Sequence, residues 1–115
     1  HPILRQAAQE LSQYFQGKRQ RFNVPCQAAG TAFQRRVWET LDAVAFGATT
    51  SYGELAAAAG SPGGARAVGG AVGANPIPII IPCHRVLAAG GALGGFTGGL
   101  SRKKDLLTLE GIRWR

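Results

Sequence analysis

The sequence predicts an α/β fold, mainly α, organised around a helix-turn-helix. Three observations predict it. Apolar residues recur at helical spacing along most of the chain; two capping boxes and a Ser-Pro turn punctuate residues 31–74; and a short apolar run ends in an adjacent cysteine and histidine, Ile81-Pro82-Cys83-His84-Arg85-Val86. The length, 115 residues, suits one domain with a fragment of another. Residues 1–30 read as a domain remnant plus linker, and residues 31–115 as the main domain.

Ile3, Leu4, Ala7, Ala8, Leu11, Tyr14 and Phe15 share helical spacing, predicting a helix over 2–16 with one buried face, ended by Gly17. Phe22-Asn23-Val24 reads as a short strand, and Pro25 to Gly30 as the linker. Thr31-Ala32-Phe33-Gln34 matches a capping box, in which side chains satisfy the free N–H groups of a helix start; Phe33, Val37, Trp38 and Leu41 continue as its stripe. A second capping box, Ser51-Tyr52-Gly53-Glu54, opens a short helix that runs to Ala59 and stops at Gly60. Ser61-Pro62 then reads as N-cap and first-turn proline of a third helix, reaching about Ala74, where Asn75-Pro76 stops it. Residues 51–74 thus form helix, tight turn, helix. Gly64, Gly69, Gly70 and Gly73 lie in the last of these, each costing roughly 0.5–1 kcal/mol against Ala. Either something approaches that backbone closely, or the helix packs tightly on a neighbour, or it is no helix. Arg66 is its one long side chain.

Ile77-Pro78-Ile79-Ile80-Ile81 predicts a buried strand ending at Pro82. Arg85 to Phe96, with Gly90-Gly91 between apolar flanks, predicts a small hairpin, and Thr97-Gly98-Gly99 a loop. Leu100 to Glu110 reads as the last helix, with Leu100, Leu106, Leu107 and Leu109 apolar and Arg102, Lys103 and Lys104 polar; Gly111 fits the position just past its end. Glu110 opposes the helix dipole there, which is harmless if exposed and otherwise calls for a proton-donating partner. His84 is the natural candidate.

The formal net charge is +7, from 13 Lys+Arg against 6 Asp+Glu. Four basic residues fall in 1–30 and nine in 31–115, so the excess is a distributed field that favours polyanions, nucleic acid above all. The 45% hydrophobic content argues against disorder, no apolar run nears the ~18 residues of a membrane-spanning helix, and His1-Pro2-Ile3-Leu4-Arg5 lacks a signal-peptide pattern. The two cysteines, Cys26 and Cys83, read as reduced thiols, and adjacent Cys83 and His84 do not fit zinc-ligand spacing. A thiol at a strand end beside an imidazole has the ingredients of an activated nucleophile; a buried structural cysteine beside a satisfied histidine is the competing reading.

Taken together, Ile81 to Val86, Phe33-Gln34 to Trp38, Ser51 to Ala56, Ala65-Arg66-Ala67-Val68-Gly69, Asn75-Pro76, Gly98-Gly99-Leu100, Lys103 and Leu106-Leu107 to Glu110-Gly111 resemble the O6-alkylguanine-DNA alkyltransferase family over about residues 31–115. The resemblance implies a helix-turn-helix, winged-helix-like alkyltransferase domain that flips O6-alkylguanine out of double-stranded DNA and moves the alkyl group irreversibly to Cys83, once per molecule, without metal or soluble cofactor. By resemblance His84 takes the thiol proton through a water, Glu110 orients His84, Tyr52 protonates the leaving guanine, and Asn75 holds the turn before the active-site loop. Carbonyls of Cys83 and Val86 would receive the base, with Phe96 as lid and Thr97-Gly98 offering N–H groups to O6. Arg66, Ala65, Gly69 and Tyr52 would meet the DNA minor groove, Arg66 filling the place of the flipped base.

The resemblance further implies a monomer off the membrane, either cytoplasmic and nucleoid-associated or nuclear. Phe96 departs from the family's usual Tyr. The family's N-terminal domain is usually longer, implying a fragment or an abbreviated member. Two other functions stay open: a non-enzymatic module that binds alkyl lesions and recruits repair factors, and a Cys-His-Glu hydrolase.

Overall fold

The computed structural model describes residues 1–25, 29–96 and 98–115; Thr97 and the linker positions 26–28, Cys26 among them, lie outside the described residues. Helix α1 spans Pro2–Phe15, α2 Ala32–Asp42, α3 Tyr52–Ala58, α4 Ala65–Gly73 and α5 Leu100–Leu109. Two short strands, β1 (Thr50–Ser51) and β2 (Val86–Leu87), pair in parallel with Thr50 opposite Val86 and Ser51 opposite Leu87. Single 3-10 turns occupy Cys83–Arg85 and Ala89–Gly91.

Local chemistry starts these helices where the sequence places them. Thr31 Oγ1 accepts from Gln34 N at 3.0 Å while Gln34 Oε1 accepts from Thr31 N at 2.9 Å, closing the capping box of α2. Ser51 Oγ accepts from Glu54 N at 3.1 Å at the start of α3. Helices α2, α3 and α4 then pack on one another and bury Val37, Trp38, Leu41, Leu55, Ala56, Ala59, Val68, Ala71 and Val72, with Ile81, Cys83 and Val86 closing the core from the C-terminal side. The Trp38 indole donates to Ala71 O at 2.9 Å, tying α2 to α4. Leu87, Leu107 and Ile112 form a second cluster under α5.

The helix-turn-helix forms, but its second helix begins at Ala65 rather than after Ser61-Pro62. Residues 61–64 make a tight turn in which Gly64 N donates to Ser61 O at 2.9 Å and Gly63 takes a positive φ of 81°. The chain closes so tightly that a Cβ on Gly64 would sit 2.5 Å from Ser61 Oγ and 2.8 Å from Ser61 O. Gly64 is therefore part of the turn, and the helical glycines are those further on.

Four other expectations fail. Residues 77–81 are not a strand: Ile81 N donates back to Ile77 O, and Pro78, lacking an N–H, cannot sustain a ladder. Residues 85–96 form no hairpin, since β2 pairs with β1 and Gly90-Gly91 curl into a 3-10 turn. Phe22-Asn23-Val24 is not a strand either, because its N–H groups go to a side chain: Asn23 and Val24 donate to Glu10 Oε1 at 2.8 and 3.1 Å. Finally, α1 buries only part of its apolar stripe: Tyr14 is buried beside Glu10 and Ala7 and Leu11 are half-buried on the same face, whereas Ile3, Leu4, Ala8 and Phe15 are exposed.

Adding a methyl at Gly64 meets backbone, whereas nothing lies within 4 Å of a Cβ on Gly70 inside α4. Gly64→Ala is expected to cost about 1–3 kcal/mol by overpacking, and Gly70→Ala to stabilise by about 0.5–1 kcal/mol through helix propensity; urea unfolding of the two variants checks both signs.

Candidate active site

The segment between α4 and β2 is built to present Cys83. Asn75, two residues past α4, donates from Nδ2 to Ile81 O at 2.8 Å and accepts from Ile77 N at 3.0 Å, closing the loop on itself. Pro82 (φ −81°, ψ 65°) and a 2.8 Å bond from Cys83 N to Ile81 O form an inverse γ-turn. Ile79 adopts φ 79°, a conformation that costs a β-branched residue on the order of 1–3 kcal/mol.

Cys83 is 6% exposed and lines a cavity of about 340 Å³ with Tyr52, Gly69, Val72, Asn75, Gly95, Phe96 and Gly98 among its walls. Burial pushes the thiol pKa above its ordinary value. Hydrogen bonds from the Asn75 side chain and from the Cys83 and Ile79 backbone, with the charge of Lys103, pull it only part of the way back. At neutral pH the resting group is therefore a thiol, not a standing thiolate, and it needs a base to react.

His84 follows on the same 3-10 turn and is fully buried. Its Nε2 lies 2.5 Å from Glu110 Oε2. Glu110 caps α5 with its side chain inaccessible to solvent. Burial alone would raise this carboxyl, but hydrogen bonds from His84, Arg85, Tyr14 and the Gly47 N–H outweigh it and hold the pKa at about 2. Glu110 is thus ionised, so His84 Nε2 is the donor. Nδ1 of the same ring has no hydrogen-bond partner among the described residues and is the atom left to accept a proton.

Three participants escaped the sequence reading. Arg85 clasps Glu110 with Nε to Oε1 at 2.8 Å and Nη2 to Oε2 at 3.1 Å, and its Nη1 donates to Val44 O at 2.7 Å. Tyr14 donates from α1 to Glu110 Oε2 at 2.6 Å. Lys103, expected on the polar side of the last helix, is fully buried, its Nζ donating to Val86 O at 2.7 Å and Gly95 O at 3.1 Å. The Val86 carbonyl expected to receive the base thus already holds Lys103, with its second lone pair still to use. Burial lowers the Lys103 pKa, and only a thiolate at Cys83 would favour its ammonium form.

The expected site residues fall in two groups. Cys83, Asn75, Tyr52, Gly69, Phe96 and Gly98 share the cavity wall, and His84, next to Cys83 on the 3-10 turn, pairs with Glu110. Arg66 is exposed near the start of α4 and Ala65 half-buried at its first turn. Thr97 lies outside the described residues.

Because the Glu110 value falls from an ordinary 4.5 to about 2 on folding, its stabilisation is complete above about pH 4.5 and lost as pH drops toward 2. Glu110→Gln leaves Arg85 without its counter-charge. It is expected to cost about 3 kcal/mol at pH 7 and to flatten the stability curve between pH 4.5 and 2, which urea unfolding across that range measures.

The chain's relatives can be set beside this geometry. The family described as "6-O-methylguanine DNA methyltransferase, DNA binding domain" matches residues 32–112. A methylated-DNA--protein-cysteine methyltransferase of Mycolicibacterium paratuberculosis is 51% identical over 104 residues, covering 90% of this chain and 63% of that protein. The constitutive Bacillus subtilis protein of the same name is 43% identical over 115 residues, covering 99% and 70%. The crystal structure of Mycobacterium tuberculosis OGT in complex with DNA superposes with TM-score 0.89 at 51% identity, covering 91% of this chain and 64% of that one. S. pombe Atl1, crystallised with damaged DNA containing O6-carboxymethylguanine, gives TM-score 0.66 at 30% identity over 75% of this chain and 82% of that one. The chain thus spans a little under two thirds of its mycobacterial relatives. A domain match of this extent, with relatives at this identity, means that the chain belongs to the 6-O-methylguanine DNA methyltransferase family.

Proposed function

We propose that this protein repairs O6-alkylguanine in double-stranded DNA by moving the alkyl group to its own Cys83. One observation carries the reading: a lone thiol on a cavity wall precedes a buried imidazole whose one nitrogen is held by an ionised carboxylate and whose other nitrogen is unpartnered among the described residues. This is the nucleophile, base and orienter set of nucleophilic catalysis. His84 Nδ1 takes the Cys83 proton, through a water; sulfur attacks the alkyl carbon; the carbon–O6 bond breaks as the C–S bond forms; and the guanine leaves with a proton from Tyr52. Burial raises the Tyr52 pKa, and a Cys83 thiolate raises it further, so the phenol is protonated in the resting site. The thioether product is not hydrolysed, so each molecule acts once. The reaction uses no metal or soluble cofactor.

DNA enters on the helix-turn-helix side. A base within a duplex must leave the stack to reach a buried sulfur. Open space at Gly70 and only ordinary contact at Gly69 mean that internal packing does not require those glycines. A bare helix face that can sit in a minor groove about 6 Å wide does. Exposed Arg66 would fill the vacated stack, with Ala65, Gly69 and Tyr52 against the groove. Phe96, Thr97 and Gly98, with the Cys83 and Val86 backbone, would surround the flipped base. Residues 31–115 carry this reaction in a protein that acts as a monomer on DNA, in the cytoplasm or nucleus. Among the described residues no helix is long and apolar enough to cross a membrane.

The competing module that binds lesions without reaction gains some support from the damaged-DNA complex of Atl1, but it leaves the paired His84 and Glu110 without a task. The wild type beside Cys83→Ser separates the two readings. Under the repair reading both bind O6-methylguanine duplex but only the wild type restores guanine and gains a methyl on Cys83; tight binding by the wild type with Cys83 unmodified favours the module, and restoration by Cys83→Ser places the chemistry elsewhere. Arg66→Ala is expected to leave thermal stability unchanged and to slow transfer from duplex at least tenfold, with a smaller effect on a single-stranded substrate whose base needs no extrusion. Single-turnover assays on both substrates test this.

A further inference from the structure

Helix α1 is attached in an unusual way. Much of its apolar stripe, Ile3, Leu4, Ala8 and Phe15, stays exposed, and the two residues it buries are Glu10 and Tyr14. Glu10 has a structural explanation: it gathers Gln6 Nε2, Asn23 N and Val24 N and so folds the loop after α1 back onto the helix. Tyr14 does something else. It reaches across 96 residues of sequence to the carboxylate that holds His84. Its ring is seated among Phe15, Phe22 and Phe46, with centroids 5.4, 5.6 and 6.2 Å away, and burial together with the Glu110 charge keeps its hydroxyl protonated. Tyr14 therefore acts only as a donor here.

The oxygen it chooses matters. Tyr14 and His84 both donate to Oε2, at 2.6 and 2.5 Å, while Gly47 N binds Oε1 and Arg85 spans the two oxygens. We propose that Tyr14 is a positioning residue for alkyl transfer: its hydroxyl fixes and partly saturates the Glu110 oxygen that orients His84, making α1 a working part of the acceptor site. This inference rests on the repair reading above. The titratable and charged groups facing Glu110 are Tyr14 from α1 and His84 and Arg85 from the 3-10 turn, with the Gly47 N–H between α2 and β1. Arg85 is charged throughout, which leaves the Tyr14 donor to modulate how strongly Oε2 draws a proton onto His84.

The test is Tyr14→Phe, which keeps the ring and removes only the donor. With one donor fewer, Oε2 becomes a stronger acceptor, so His84 protonates more readily. The chain has two histidines, and labelling them with ¹⁵N follows His84 in the DNA-free protein. Its titration midpoint is expected to rise relative to the wild type, and the acid limb of the single-turnover rate to move up with it, with duplex affinity unchanged. Glu10→Gln, which loosens the loop after α1 without touching Tyr14 or Glu110, should leave the midpoint in place. Should Tyr14→Phe not fold, 3-fluorotyrosine at position 14, a stronger donor, should move the midpoint down.

An unmoved midpoint, or an equal shift from Glu10→Gln, overturns the assignment. Absence of alkyl transfer by the wild-type protein overturns the repair reading, while the histidine titration still decides the role of Tyr14.

Discussion

The Glu110 carboxylate is the point on which the rest of this structure converges. It sits at the C-terminal end of α5, where the helix dipole disfavours a negative charge, and its side chain is cut off from solvent. A charge so placed persists only if it is met by donors. Those donors come from three separate stretches: the hydroxyl on α1, an N–H between α2 and β1, and the paired imidazole and guanidinium of the 3-10 turn. Folding and preparation of the base are consequently one event. The imidazole is oriented only when the N-terminal helix, the middle of the chain and the last helix have all come together.

The loop in front of that cluster is organised by a different device. Asn75, the γ-turn at Pro82 and the left-handed Ile79 hold the thiol at a cavity wall with no regular secondary structure to support them. Lys103 closes the far side, joining the carbonyl of Val86 to that of Gly95, so one buried ammonium ties the loop after Cys83 to the wall that includes Phe96. A thiol whose pKa is raised in the resting state, and whose activation waits on a neighbouring base, is protected from adventitious reaction until a substrate fills the cavity.

Features that depend on neighbouring residues were legible in the sequence. The capping boxes at Thr31 and Ser51 involve residues three apart and form as read, and Asn75-Pro76 stops α4 for reasons internal to the dipeptide. The pairing of Glu110 with His84 was also within reach, because a carboxylate at a helix C-terminus calls for a donor. Features decided by distant partners were not. The apolar run 77–81 has the composition of a strand, yet its backbone groups go to Asn75 and to one another. The apolar stripe of α1 is wide, and only its Tyr14 side, with Glu10, is drawn inward, by partners distant in sequence. Lys103 and Arg85 look like surface charges until the carbonyls and the carboxylate they serve are brought to them by tertiary packing.

The central claim is that Cys83 is the atom that receives the alkyl group, once. The most direct measurement is peptide-resolved mass spectrometry of the protein after incubation with excess O6-methylguanine duplex. The expected result is a plateau at one methyl per molecule, carried on Cys83, with Cys26 untouched. Continued turnover beyond one equivalent, a methyl on any other residue, or restored guanine beside an unmodified Cys83 would contradict it.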